Sequence, residues 1–259
     1  MITKWVFPFG QPVRPVVQED RGPKDVFVLG VYASAVHAHW VGLNGRTVVR
    51  ALGVASEPYI FWRGENAAEI ISRIAVPDAA GRLVPADSRL NGPSGQALDD
   101  QFLTPLNLTR EKAWLCDLVP HSCKNTGQAA AIRDHYDPIE NKLHLPSVTW
   151  PELPSQLASE ERRLAIEAEL MESGAQVIVT LGDQPLRWFA RFYGAKARLS
   201  TYGKTAAEYG RLHQIRIGDR DLSLLPLVHP RQAGGLSGHT LEWKQIHAEW
   251  RDVVAPTLL

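Results

Sequence analysis

Four short apolar runs, at residues 25–31, 113–119, 175–181 and 222–228, constrain this chain more than any other feature. Each is rich in Val, Ile and Leu and lacks polar alternation. A strand with one wet face alternates apolar and polar side chains, so such runs suit strands covered on both faces, as in a parallel sheet between helices. Helical stretches fall between and after them. Ser159 is placed to cap a helix through Ser173, with Glu160 and Glu161 in its first turn and Gly174 just past its end. Asp183 is placed to cap a shorter helix over 184–192. A last helix, from about Thr240 to Val254, sets Ile246, Trp250 and Val253 on one face. Helices alternating with buried strands indicate an α/β layered fold.

No repeat and no low-complexity tract divides the 259 residues, so the expectation is one domain over 1–259. Asn44-Gly45, between strand-like flanks in 41–55, signals a hairpin beside the first strand. Pro- and Gly-bearing stretches at 76–105 and 135–154 read as long loops, and Gly218-Asp219 as a turn leading from 211–217 into the fourth run.

Twenty-eight basic residues balance twenty-eight acidic ones, so no global positive field draws the chain to nucleic acid or an anionic membrane, and a polyanion site must be a local patch. Cys116 and Cys123 are the only cysteines, too few for a disulfide scaffold or a four-cysteine metal site. Pro8, Pro12 and Pro15 interrupt the N-terminal stretch where a signal peptide needs an apolar run, and no segment reaches membrane-span length. The expectation is a cytoplasmic protein with no membrane partner.

In open α/β sheets ligands bind beyond the carboxyl ends of the strands, where loops and helix N-termini converge. The first run leads into Gly30-Val31-Tyr32-Ala33-Ser34, the second carries Asp117, the third ends in Gly182-Asp183 and the fourth in His229-Pro230-Arg231. Each delivers a polar group to one rim. Singly, Asp183 also reads as a helix cap, and Asp117 and His229 as ordinary rim residues.

These segments, VFVLGVYAS at 26–34, AWLCDLVP at 113–120, VIVTLGDQP at 177–185 and PLVHPRQ at 226–232, resemble the motifs of the uracil-DNA glycosylase superfamily in order and spacing. The resemblance implies a three-layer αβα sandwich around a central, mostly parallel four-stranded sheet, with a nucleobase pocket at its carboxyl edge. It implies a DNA glycosylase-like protein that binds a nucleobase in DNA and hydrolyses its N-glycosidic bond without a cofactor or metal. His229 is then the donor to the departing base, where negative charge develops. Gly30, Tyr32, Ser34, Phe61 and Asp117 are expected to surround the base, with Phe61 as its stacking ring; core packing is the competing reading of Phe61.

Two positions depart from the pattern. Tyr32 stands where the superfamily usually has an acid or amide, and a phenol of ordinary pKa activates water poorly at neutral pH. Glu57, in Ser56-Glu57-Pro58, is the nearest substitute, with a solvated loop carboxylate as the other reading. Asp117 stands where the superfamily reads the base with Asn. An ionised carboxylate only accepts, which favours a base edge of adjacent donors such as that of guanine.

For DNA, Arg187, Arg191, Lys196, Arg198 and Lys204 form a stretch free of acids from Trp188 to Lys204, with Arg231 beside the His-Pro pair and Leu236 as an apolar wedge. Solvated surface charges and a flexible loop are the alternatives. Two further readings stand beside the enzyme: a member of the same fold that binds a nucleobase or nucleic acid without cleaving, and a metal-dependent hydrolase using His37 and His39, which point the same way on an extended segment.

Overall fold

The computed structural model describes residues 5–233 and 241–259. Contacts gather the chain into two compact units interleaved in sequence, one of residues 1–16, 32–93 and 120–154 and the other of 17–31, 94–119 and 155–259. Each unit draws on three separate stretches, so no linker of distinctive composition marks them.

The second unit contains a five-stranded sheet. Its strands include β1 (Val26–Tyr32), whose last residue crosses into the other unit. In the first unit follow β2 (Ala35–Val41), β3 (Thr47–Ser56) and β4 (Arg82–Pro85). The sheet continues with β5 (Ala113–Val119), β6 (Val177–Leu181), β7 (His213–Ile217) and β8 (Arg220–Leu227), in the order β5-β1-β6-β8-β7. The β1/β6 and β6/β8 pairs are parallel, and β7 is antiparallel to β8. The four apolar runs are thus all strands of one α/β sheet. A fifth strand, β7, makes the sheet larger than the four strands expected; it arises because Gly218, at φ 58°, folds 213–217 back onto β8 as a hairpin.

Ser159 caps the helix Glu160–Ser173 by accepting from the Arg162 N–H at 3.2 Å, and Gly174 ends it at φ 67°. β6 leads into a helix that spans Asp183–Trp188, shorter than expected, and a 3-10 turn at Ala190–Tyr193 follows. Gly182, not Asp183, is its N-cap residue. In the last helix, Leu241–Glu249 continued by Trp250–Val254, the buried side chains are His247, Trp250 and Val254, while Val253 is exposed. The face is centred on a histidine, which an apolar pattern does not count.

The first unit holds the expected hairpin: β2 and β3 are antiparallel around Asn44-Gly45, with Gly45 at φ 74°. The stretch 76–105 is not a plain loop, since β4 adds to β2 as a third antiparallel strand and Pro93–Leu98 is helical. Asn91 acts like a further rung: its Oδ1 accepts from the His37 N–H at 2.8 Å and its Nδ2 donates to the His37 carbonyl at 3.0 Å. Among the described residues no helix is long and apolar enough to cross a membrane.

Candidate functional site

Parallel pairing aligns Leu29 of β1 with Thr180 of β6, and Leu181 with Leu227 of β8, so three strands end nearly level. Beyond those ends, within the second unit, lies a cavity of about 320 Å³. Val31 and Leu181 form apolar wall, and His229 and Gln232 enter from the segment after β8. Asp183 and Gln184 enter from the short helix, Ser200 from the 3-10 turn Leu199–Thr201, and Trp243 from the last helix.

Local backbone geometry seats His229. Gly182 donates its N–H to the Leu227 carbonyl at 2.7 Å, at φ 86°, and a Cβ at Gly182 would stand 3.1 Å from the His229 Cβ. Only glycine accepts both the dihedral and the close approach. The His229 carbonyl then accepts from the N–H groups of Gln232 and Ala233, at 2.8 and 3.1 Å, turning the chain into the helix Pro230–Ala233.

Three polar side chains of the cavity have their orientation fixed by partners that can only donate. The Arg231 backbone N–H donates to His229 Nδ1 at 3.2 Å, so the ring proton lies on Nε2. The His229 backbone N–H donates to Gln232 Oε1 at 3.2 Å, and the Trp188 indole to Gln184 Oε1 at 3.1 Å. Each side chain is left with its donor: the imidazole Nε2–H and two amide NH₂ groups. Burial, then the Arg231 charge, lowers the His229 pKa to about 4, so the donor is a neutral imidazole at physiological pH. Asp183 is the carboxylate of the cavity. Its Oδ1 accepts from the Leu199 N–H at 2.7 Å, tying the 199–201 turn to the start of the helix.

Of the residues expected from sequence, His229 lies in this cavity, with Arg231 exposed beside it. Gly30 is buried within β1. Asp117 is buried in β5 and does not line the cavity. Trp114 and Cys116 bond Glu169 and Arg162 of the helix Glu160–Ser173, so strand alternation turns Asp117 to the opposite face. Burial raises its pKa to about 7 despite the Arg162 charge, and Arg162 spends its own donors on the carbonyls of Asp117 and Leu118 at 2.6 and 3.1 Å.

Tyr32, Ser34, Glu57 and Phe61 belong to the first unit. Tyr32 is exposed, Ser34 half-buried, and Phe61 half-buried at φ 52°. Glu57 is 5% exposed, so it is not the solvated loop carboxylate that its sequence context allowed. Leu236 lies outside the described residues.

Arg187, Arg191, Lys196, Arg198 and Lys204 are all exposed, and among the described residues none forms an ion pair. Arg198 directly precedes the turn that supplies Ser200. His37 and His39 sit on β2, where burial lowers the His37 pKa and His39 Nδ1 accepts from the Ala51 N–H at 3.3 Å. Among the described residues no group of three or more His, Cys, Asp or Glu side chains is placed to hold a metal ion.

Gln184, Ser200, Gln232 and Trp243 are absent from the sequence expectations, where Asp183 figures chiefly as a helix cap. Gly182-Asp183 at a strand end was the one available signal for the carboxylate. Trp243 had none, since it reaches the cavity from a helix that follows the last strand. Compared with protein-family models and with the sequences of curated proteins, the chain matches none.

Proposed function

We propose that the cavity at the carboxyl edge of the sheet binds a nucleobase, and that the chain is a divergent DNA glycosylase-like protein of the uracil-DNA glycosylase type. The observation that carries this reading is the neutral His229, with Nδ1 occupied by the Arg231 N–H and Nε2–H left as donor. Together with the amides of Gln184 and Gln232 it makes a donor-rich wall suited to a carbonyl-bearing heterocycle, and Trp243 offers a ring for stacking, worth about 1–3 kcal/mol per base. This moves the expected base from one reading through Asp117 to one presenting oxygen acceptors. The three-layer αβα arrangement inferred from the motifs is part of the same reading.

In base release, the N-glycosidic bond breaks with its electron pair leaving on the base, whose oxygen the His229 Nε2–H holds as charge develops there. Water adds to the sugar carbon and gives its proton to the Asp183 carboxylate, the acid group of the cavity. The exposed cations from Arg187 to Lys204, with Arg231, supply phosphate contacts.

A second reading keeps the pocket without turnover, favoured by exposed Tyr32 at the usual acid position. Oligonucleotides carrying different base lesions separate the two: the glycosylase reading expects free base from the unmodified protein and far less from His229→Ala, while retained binding without release by either supports the binding protein. Absence of both binding and release from every lesion overturns the proposal.

A further inference from the structure

We propose that Tyr209 is a positioning residue for His229, acting with His247 as a buried strut beneath the strand end that carries the imidazole. The inference rests on the reading of His229 as the site's donor, and its geometry lies wholly within the second unit. The Val228 backbone N–H, one residue before His229 and just past the end of β8, donates to the Tyr209 hydroxyl at 2.9 Å. That hydroxyl lies 2.8 Å from His247 Nδ1, and His247 Nε2 lies 2.9 Å from the Gln101 carbonyl. A backbone N–H can only donate and a carbonyl can only accept, so every proton in the chain is assigned. Val228 gives to Tyr209, Tyr209 gives to His247 Nδ1, and His247 Nε2–H gives to Gln101.

The strut is dry and clamped. Tyr209 and His247 are each 1% exposed and Val228 is fully buried. The His247 ring stacks on Trp250 at 5.0 Å between centroids and meets Phe102 at 4.6 Å. Trp250 donates its indole N–H to the Gly210 carbonyl at 3.0 Å, fixing the backbone next to Tyr209. Burial keeps the Tyr209 hydroxyl protonated and lowers the His247 pKa to about 4, so the ring stays neutral with one nitrogen free to accept.

Apolar residues of similar shape could fill this space with little loss of stability, but they would not specify where Val228 ends. A hydrogen-bonded chain of one direction does. With Val228 held from below and His229 held by Arg231 and Gln232, consecutive residues are both fixed, which is what a preorganised donor requires.

The test is nitrogen NMR of His229 in the ligand-free full chain, comparing Tyr209→Phe with the unmodified protein. The unmodified protein should show the single Nε2–H tautomer. The variant should show a tautomer mixture, a His229 titration midpoint shifted up by about one pH unit or more, and a Val228 amide that exchanges about tenfold faster or more. His247→Phe, which keeps the ring but removes the acceptor, should repeat this, and His247→Asn, with an oxygen near the Nδ1 position, should restore the tautomer. A folded Tyr209→Phe protein with unchanged His229 signals overturns the proposal. Should that variant not fold, identical His229 signals in the two His247 variants overturn it instead. None of these readouts needs a nucleobase, so failure of the ligand reading, seen as absent binding with an intact His229 tautomer, is distinguishable.

Discussion

The backbone N–H of Arg231 donates to His229 Nδ1, and the guanidinium of the same residue helps to keep that imidazole uncharged. One residue thus sets the tautomer of the candidate donor and adds to burial, the larger cause, in keeping it neutral. Beside the phosphate contact expected of its side chain, the Arg231 main chain has a second role that substituting the side chain does not remove.

Because the His229 pKa is lowered to about 4, the ring should bind carbonyl-bearing bases as a neutral donor across the neutral range. Affinity of a free base, measured by calorimetry, should be flat between about pH 6 and 8 and show no inflection near the ordinary histidine value of about 6.5. His229→Ala should lower base release by about 10²–10³-fold, the usual effect of losing one such donor. An inflection near pH 6.5 that disappears in His229→Ala would contradict the neutral-donor assignment.

Gly182→Ala places a Cβ 3.1 Å from the His229 Cβ at a backbone φ of 86°. The expected result is a loss of about 1–3 kcal/mol of stability in urea unfolding, with His229 displaced. Gly174→Ala provides the control: it shares a positive φ, but its added Cβ meets nothing within 4 Å. It should lose less stability and leave the His229 resonances in place.

Stability should depend on pH through opposed groups. His229 and His247 have folded values of about 4, below their unfolded value of about 6.5, so the unfolded chain takes up protons first as pH falls. Their contribution is present above about pH 6.5 and is lost toward pH 4, at up to about 1.4 kcal/mol per pH unit for each. Asp117 runs the other way, with a folded value of about 7 above an unfolded value near 3.8. Its contribution is full below about pH 4 and lost as pH rises through 7. Asp117→Asn should therefore raise the unfolding free energy at about pH 8 by up to about 4 kcal/mol and change it little at about pH 4. An equal effect at both would mean that the carboxyl is ionised in the fold.

Arg187, Arg191 and Arg198 form no ion pairs among the described residues, so replacing all three with Gln should leave the fold intact. If they contact phosphates, the log–log salt dependence of oligonucleotide binding should flatten by about 2–3. An unchanged slope with weakened binding would assign them another role.

Four strands of the five-stranded sheet were legible because burial on both faces writes itself as an uninterrupted apolar run, and the Ser159 cap and the Asn44-Gly45 turn because each is local backbone chemistry. β4 and β7 were not, since each is a short, partly exposed strand that exists by pairing with a neighbour. His229 could be placed at a strand end from sequence. That Asp183 lines the cavity while Asp117 lies on the strand face opposite the helix Glu160–Ser173 could not, because a strand's alternation gives two faces and only the helix packed on one of them says which is which.

By itself, then, the sequence determined the buried strands, the capped helix, the hairpin and the strand end bearing His229, all set by side-chain burial or by neighbours within a few residues. Tertiary structure alone decided the partition into two units, the company His229 keeps in the cavity, and the proton on its Nε2. The last depends on where one backbone N–H points and how much water is excluded, and both are properties of the folded chain.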